Sequence, residues 1–432
     1  MSPFNLETCA RPNILALEPY RCARDDYKDD GTNILLDANE NAYGPAISRP
    51  NNSNNNNNDS SVTNRPSSGP SLDLTTLHRY PDPHQATLKQ LLCDLRTTHA
   101  HTAKTLTPAN LFVGVGSDEA IDALLRCFCV PGRDKILVCP PTYGMYSVSA
   151  QVNDVGLVKV PLLPGPGFDV DVPAVTAALS DPEKSRTIKM VYLCSPGNPT
   201  GSLLRKEDVR AVLEHPTWNG VVVVDEAYVD FAAPEASLAE WVVEWPNLVV
   251  LQTLSKAFGL AGIRLGAAFA SAPIARLLNS LKAPYNVSSL TAAVAEYALS
   301  GEGLEKMREN RGKLVAQRER MIREMPKIEG VGRLRGGTYS NFLLYEMLDK
   351  DGKPDNVTAL AVYERLAEFK GVVVRFRGKE HGCLGCLRIT VGTEDEVTRF
   401  LASLERTLAE VRGTAPAADE DEKEAAASGV VA

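Results

Sequence analysis

The sequence predicts an α/β protein: a large domain with a mostly parallel sheet flanked by helices, plus a smaller α+β C-terminal domain. Three observations predict it. Near-continuous apolar runs recur at 135–139 (KILVC), 189–194 (KMVYLC), 221–225 (VVVVD), 248–253 (LVVLQT) and 265–270 (LGAAFA), separated by helix-sized gaps. Strands of a parallel sheet covered on both faces read this way. The stretch SDEAIDALLRCFC at 117–129 sets Ile121, Leu124, Leu125 and Phe128 on one helical face. After helical repeats through roughly 290–325, the pattern restarts with shorter runs, NFLLYE, GVVVRF and LRITVG, and a closing helix.

Taken in order, residues 1–30 read as an N-terminal arm. Residues 31–75 form a linker that contains an Asn-rich insertion at about 46–72. The large domain spans 76–320, the small domain 321–412, and an acidic, alanine-rich tail 413–432. The insertion carries almost nothing to bury, which predicts disorder; the tail also reads as disordered, with a frayed helix as the alternative. The chain has 432 residues, 44% of them hydrophobic and 23% charged, a globular balance. A net charge of −8 argues against a nucleic-acid or anionic-membrane surface. No run approaches the roughly 18 apolar residues that span a bilayer. The N-terminus shows no cationic start before an apolar core, so no secretory leader is expected. Nine scattered cysteines fit reduced thiols and a cytoplasmic location.

Ligands of open parallel sheets bind beyond the carboxyl ends of the strands. Four segments follow strands or open a helix there: Asp225-Glu226-Ala227-Tyr228, Leu254-Ser255-Lys256, the SPGNPTG turn at 195–201, and Gly114-Val115-Gly116-Ser117-Asp118. All are expected on one edge. A lysine at such a place suggests a Schiff base with an aldehyde, and pyridoxal phosphate is the usual one. Asp225 would keep the cofactor's ring nitrogen protonated. Asn198 and Tyr228 could donate to its phenolate oxygen. Amides at the start of the helix near 117 suit its phosphate, with Ser117, Asp118, Ser255 and Arg264 alongside. Tyr143 could stack on the ring.

Each feature alone has a plainer reading. A lone lysine after a strand is usually exposed. Asp225-Glu226 could be a solvated turn, SPGNPTG a turn of ordinary chemistry, and Arg264 and Arg388 surface arginines. Met145 and Tyr146 read as packing. The Cys383–Cys386 pair lacks the second pair that zinc needs, so no metal is expected. GVGSDE lacks the third glycine of a dinucleotide motif. The combination of Lys256, Asp225 and Asn198 favours the cofactor.

SPGNPTG, VVDEAY, TLSKAFGLAGIRLG and LRITVG resemble the fold-type I aminotransferases. DANEN at 37–41, RYP at 79–81, CPPTYGMYSVSA at 139–150 and GCLRITVG at 385–392 are similar to the histidinol-phosphate aminotransferases among them. The resemblance covers about residues 10–45 and 75–410. It implies that Lys256 carries the cofactor and moves the substrate's proton, with Asp225 on the ring nitrogen. It implies a homodimer in which Tyr80 reaches the partner's cofactor phosphate. It implies Arg388 and Arg375 as clamps for the substrate anions, with Tyr20, Asn39 and Asn198 as further substrate contacts. Arg377 shares the register of Arg375 and is an alternative to it. The implied substrates are L-glutamate and imidazole-acetol phosphate. Two guanidinium forks suit this pair, because they match carboxylate and phosphate alike. An aromatic amino-acid aminotransferase or a phospho-amino-acid decarboxylase would share the fold.

Overall fold

A computed structural model describes residues 12–16, 32–47 and 74–414. Tyr20, nearly all of the Asn-rich insertion and all but the start of the acidic tail lie outside the described residues. The chain divides into two compact units. Among described residues, one comprises 12–16, 39–47, 74–316 and 336–342; the other comprises 32–38, 317–335 and 343–414.

The larger unit is built on seven strands: β1 (Leu111–Val115), β2 (Lys135–Val138), β3 (Gly156–Lys159), β4 (Ile188–Cys194), β5 (Val221–Asp225), β6 (Leu248–Thr253) and β7 (Leu265–Ala270). Their order is β1-β7-β6-β5-β4-β2-β3. β7 runs antiparallel to β1 and β6, and every other pairing is parallel. Every residue of β5, β6 and β7 is buried, which explains their unbroken apolar sequence. Each fully buried valine or leucine contributes roughly 1.5–3 kcal/mol. Helix α1 (Gly116–Phe128) lays Ile121 and Leu124 over Phe112, Tyr192, Val223 and Leu251 in the core of this unit.

Two of these strands escape sequence reading. LFVGV runs directly into the helix that starts at Gly116, with no turn between them to mark a strand end. GLVK is an edge strand with no buried residue, so it has no apolar pattern to show. The topology brings the carboxyl ends of β1, β4, β5 and β6 to one edge, as the sequence predicts. Because β7 is reversed, its first residue starts at that edge too, just after Arg264.

The smaller unit holds β8 (Val331–Arg335), β9 (Phe342–Met347), β10 (Val372–Val373), β11 (Arg375–Phe376) and β12 (Cys386–Thr390). Four of them form a sheet of order β11-β12-β9-β8. The strand Ile34–Leu35 pairs in parallel with β10. Helices Asn356–Lys370 and Glu394–Arg412 complete the unit. The second begins with a Thr393/Glu396 capping box, which satisfies two end amides reciprocally. Among the described residues, no helix is long and apolar enough to cross a membrane.

Candidate active site

Lys256 stands three residues past β6, half-buried, with Nζ 5.9 Å from the centroid of the Tyr228 ring. One strand over, Asp225 ends β5 and pairs in register with Leu251 of β6. The solvated-turn reading of Asp225-Glu226 fails, because each is only 2% exposed. Burial pushes the Asp225 carboxyl up to about 6, against the hydrogen bonds that favour its anion. A buried carboxylate of this kind favours a cationic partner, which would lower its pKa again.

Tyr146 supplies the strongest of those bonds. Its hydroxyl donates to Asp225 Oδ2 at 2.6 Å, and the Ala227 amide donates to Oδ1 at 3.1 Å. Tyr146 is therefore more than packing. Its signal in the sequence was its place three residues after Tyr143, one helical turn on in PPTYGMY. Tyr143 meets it edge-on, with ring centroids 5.6 Å apart.

Tyr228 sits in the turn after β5 and is buried. Asn39 Nδ2 donates to its hydroxyl at 2.9 Å, and Phe342 packs edge-on against its ring. The DANEN segment is itself held in place. Asn341 Nδ2 donates to the carbonyls of Asn39 and Glu40, and Asn41 Nδ2 donates to the Ala257 carbonyl beside Lys256 at 2.9 Å. Asn39 thus reaches the site through Tyr228. Asn198, in the turn after β4, is also buried.

A polar cradle forms where α1 starts. Gly116 has φ 72°, and its amide donates to the Arg264 carbonyl at 3.0 Å. A side chain at Gly266 would put its Cβ 2.2 Å from the Ser117 amide nitrogen, so only glycine lets the helix start lie this close to β7. Arg264 Nη2 lies 3.5 Å from Asp118 Oδ2, and the Tyr143 hydroxyl donates to Asp118 Oδ1 at 3.3 Å. Ser255 Oγ lies 2.9 Å from Thr253 Oγ1. The structure therefore brings Ser117, Asp118, Tyr143, Arg264 and Ser255 to the same strand edge as Lys256.

Tyr80 stands apart from this set. It is 81% exposed and stacks on Tyr285 with centroids 4.6 Å apart.

In the smaller unit, Arg388 lies in β12 directly opposite Arg375 of β11. Arg388 is 4% exposed, which overturns its reading as a surface arginine, and Nη2 donates to the Asp37 carbonyl. Arg375 is half-buried. Arg377 pairs with Glu380 at 2.7 Å. Cys383 and Cys386 are fully buried. Among the described residues, no group of side chains could hold a metal ion.

The larger unit thus presents, at one sheet edge, a lysine, a buried aspartate one strand over and a glycine-lined helix start. The model of the family described as aminotransferase class I and II matches residues 32–404, and the chain belongs to that family. Within it, the chain is 50% identical over 409 residues to the histidinol-phosphate aminotransferase of Schizosaccharomyces pombe, covering 94% of this chain and 98% of the relative. It is 46% identical over 413 residues to that of Saccharomyces cerevisiae, covering 94% and 98%. These relatives place it among the histidinol-phosphate aminotransferases. The crystal structure of histidinol-phosphate aminotransferase from Sinorhizobium meliloti, in complex with pyridoxal-5'-phosphate, has the same fold. It superposes with a TM-score of 0.75 at 23% identity, over 94% of this chain and 98% of that one.

Proposed function

We propose that the chain is a pyridoxal-phosphate-dependent transaminase. It moves an amino group between L-glutamate and imidazole-acetol phosphate, giving 2-oxoglutarate and L-histidinol phosphate in histidine biosynthesis. The observation that carries this reading is the buried Asp225, one strand from Lys256 and charged only at the cost of desolvation. Such a carboxylate suits the protonated ring nitrogen of the cofactor. The absent side chains at Gly116 and Gly266 let Arg264 and β7 lie against the start of α1, whose end suits a phosphate. When bound, that cofactor supplies an electron sink for the carbon that loses its proton.

The chain's own residues then have these roles. Lys256 holds the cofactor covalently, and its amine, once freed, carries the proton lost by the substrate carbon. Asp225 pairs with the ring nitrogen, and Tyr146 fixes the Asp225 carboxylate. Tyr228 and Asn198 donate to the phenolic oxygen, while Tyr143 covers the ring. Ser117, Asp118, Ser255 and Arg264 surround the phosphate. Asp118 cannot accept from a phosphate oxygen, so its part is to orient Arg264 and Tyr143. Arg388 binds a substrate anion, and Arg375, or Arg377 in its place, the second. Asn39, Asn198 and Tyr20 complete the substrate contacts.

Tyr80 belongs to a homodimer in this reading, completing the partner's phosphate site. Its exposure, stacked on the exposed Tyr285, supports a surface that another copy covers. A cytoplasmic location is consistent with the free thiols among the described residues. The test is a half-reaction. The cofactor-loaded protein is mixed with histidinol phosphate or with phenylalanine, and the cofactor's absorbance is followed. A fast change with histidinol phosphate is expected. A fast change with phenylalanine alone would replace this substrate with an aromatic amino acid.

A further inference from the structure

Around Tyr228 lies a buried polar network that these roles leave unused. Glu226 Oε2 accepts from Ser237 Oγ at 2.6 Å and from Gln252 Nε2 at 2.9 Å, and Oε1 accepts from the Leu238 amide at 2.6 Å. Gln252 Oε1 accepts from Arg96 Nε at 2.7 Å. Arg96 Nη2 meets Asp230 at 2.9 Å, with each of the two side chains 10% exposed.

These contacts close on themselves. They leave the turn after β5 at Glu226, cross to β6 at Gln252 and to the end of helix Ala86–Arg96, and return to the same turn at Asp230. Tyr228 stands midway, two residues from each carboxylate. Gln252 stands four residues before Lys256. The glutamine is the joint: its amide donates to a carboxylate on one side and its carbonyl accepts from a guanidinium on the other. Removing any member strands a buried polar partner, so the ring resists partial loosening. Gln252 is also the one polar side chain in the otherwise apolar run LVVLQ. A strand needs no buried glutamine for packing alone.

We propose that the Glu226–Gln252–Arg96–Asp230 ring is a positioning device for Tyr228, fixing the 226–230 turn so that its hydroxyl stays on Asn39 and available to the cofactor's phenolic oxygen. This rests on the role given to Tyr228 above. Arg96 and Gln252 are positioning residues and act through it.

The test follows the visible absorbance of the cofactor-loaded protein against pH. Tyr228→Phe removes a donor to the phenolic oxygen and raises the titration midpoint by about one pH unit. Arg96→Met and Gln252→Met shift it in the same direction by less, and Arg96→Lys recovers part of the shift. Added to Tyr228→Phe, neither methionine variant moves the midpoint further, because residues acting through one group are not additive. Thermal unfolding identifies the variants that fold; should Gln252→Met fail, Arg96→Met at its helix end carries the comparison. An unmoved midpoint in folded, loaded Arg96→Met overturns the proposal, as do shifts that add to that of Tyr228→Phe. An unmoved midpoint in Tyr228→Phe itself removes the role of Tyr228, and the ring's purpose with it.

Discussion

The Tyr146 hydroxyl lies 2.6 Å from Asp225 Oδ2, and both side chains are closed off from water. The tyrosine keeps its proton, because burial raises its pKa far above the ordinary value. It is therefore a permanent donor to the carboxylate. Tyr146→Phe is expected to weaken cofactor affinity and turnover by about tenfold, the worth of one hydrogen bond to a charged group. Asp225→Asn removes the charge itself and should cost at least about 100-fold in kcat. Equal losses in the two variants would mean that Tyr146 does more than support Asp225.

Lys256→Ala is expected to abolish transamination while the cofactor still binds noncovalently. The absorbance band of the lysine-bound cofactor should vanish, with cofactor retained on gel filtration. A persisting band would point to another amine.

Glu226 offers a test without cofactor. Burial pushes its carboxyl from 4.5 up to about 7. The folded state then holds this proton more tightly than the unfolded state does. Stability from this group is full below the unfolded value and is lost as pH rises toward the folded one. Relative to Glu226→Gln, the cofactor-free parent should lose on the order of a few kcal/mol between pH of about 4.5 and 7. Urea unfolding of both proteins across that range reads the difference. A constant difference would place the ionisation outside the window.

Arg375 and Arg377 are the two candidates for the second substrate anion. Arg377 is committed to Glu380. Arg377→Gln should change kcat/KM for histidinol phosphate by less than about threefold, on the scale of a local ion pair. Arg388→Gln should lower it by at least about 100-fold, the loss expected for a buried charged contact. Steady-state kinetics of both variants, with Arg375→Gln beside them, assigns the substrate anions.

Much of this was legible in the sequence because buried parallel strands announce themselves. VVVVD ends at Asp225, and Lys256 follows LVVLQT by three residues; a charged group at or just beyond a buried strand marked both. Edge strand GLVK had no such contrast, since none of its residues is buried. Two short exchanges between the units carry no mark in the sequence. Residues 336–342 group with the larger unit and 32–38 with the smaller, and no composition change marks such exchanges. Tyr146, Arg96 and Gln252 owe their roles to partners 79 and 156 residues away in the chain. Local spacing cannot carry that information.

Arg264 has one more property. Its backbone is left-handed, with φ 54°, a conformation that costs an arginine roughly 1–2 kcal/mol and a glycine almost nothing. Two pressures therefore oppose each other at this position. A laboratory selection for heat resistance would drift toward glycine there, while a selection for growth on scarce cofactor would hold the arginine. The same codon would thus report which of the two a lineage had been short of.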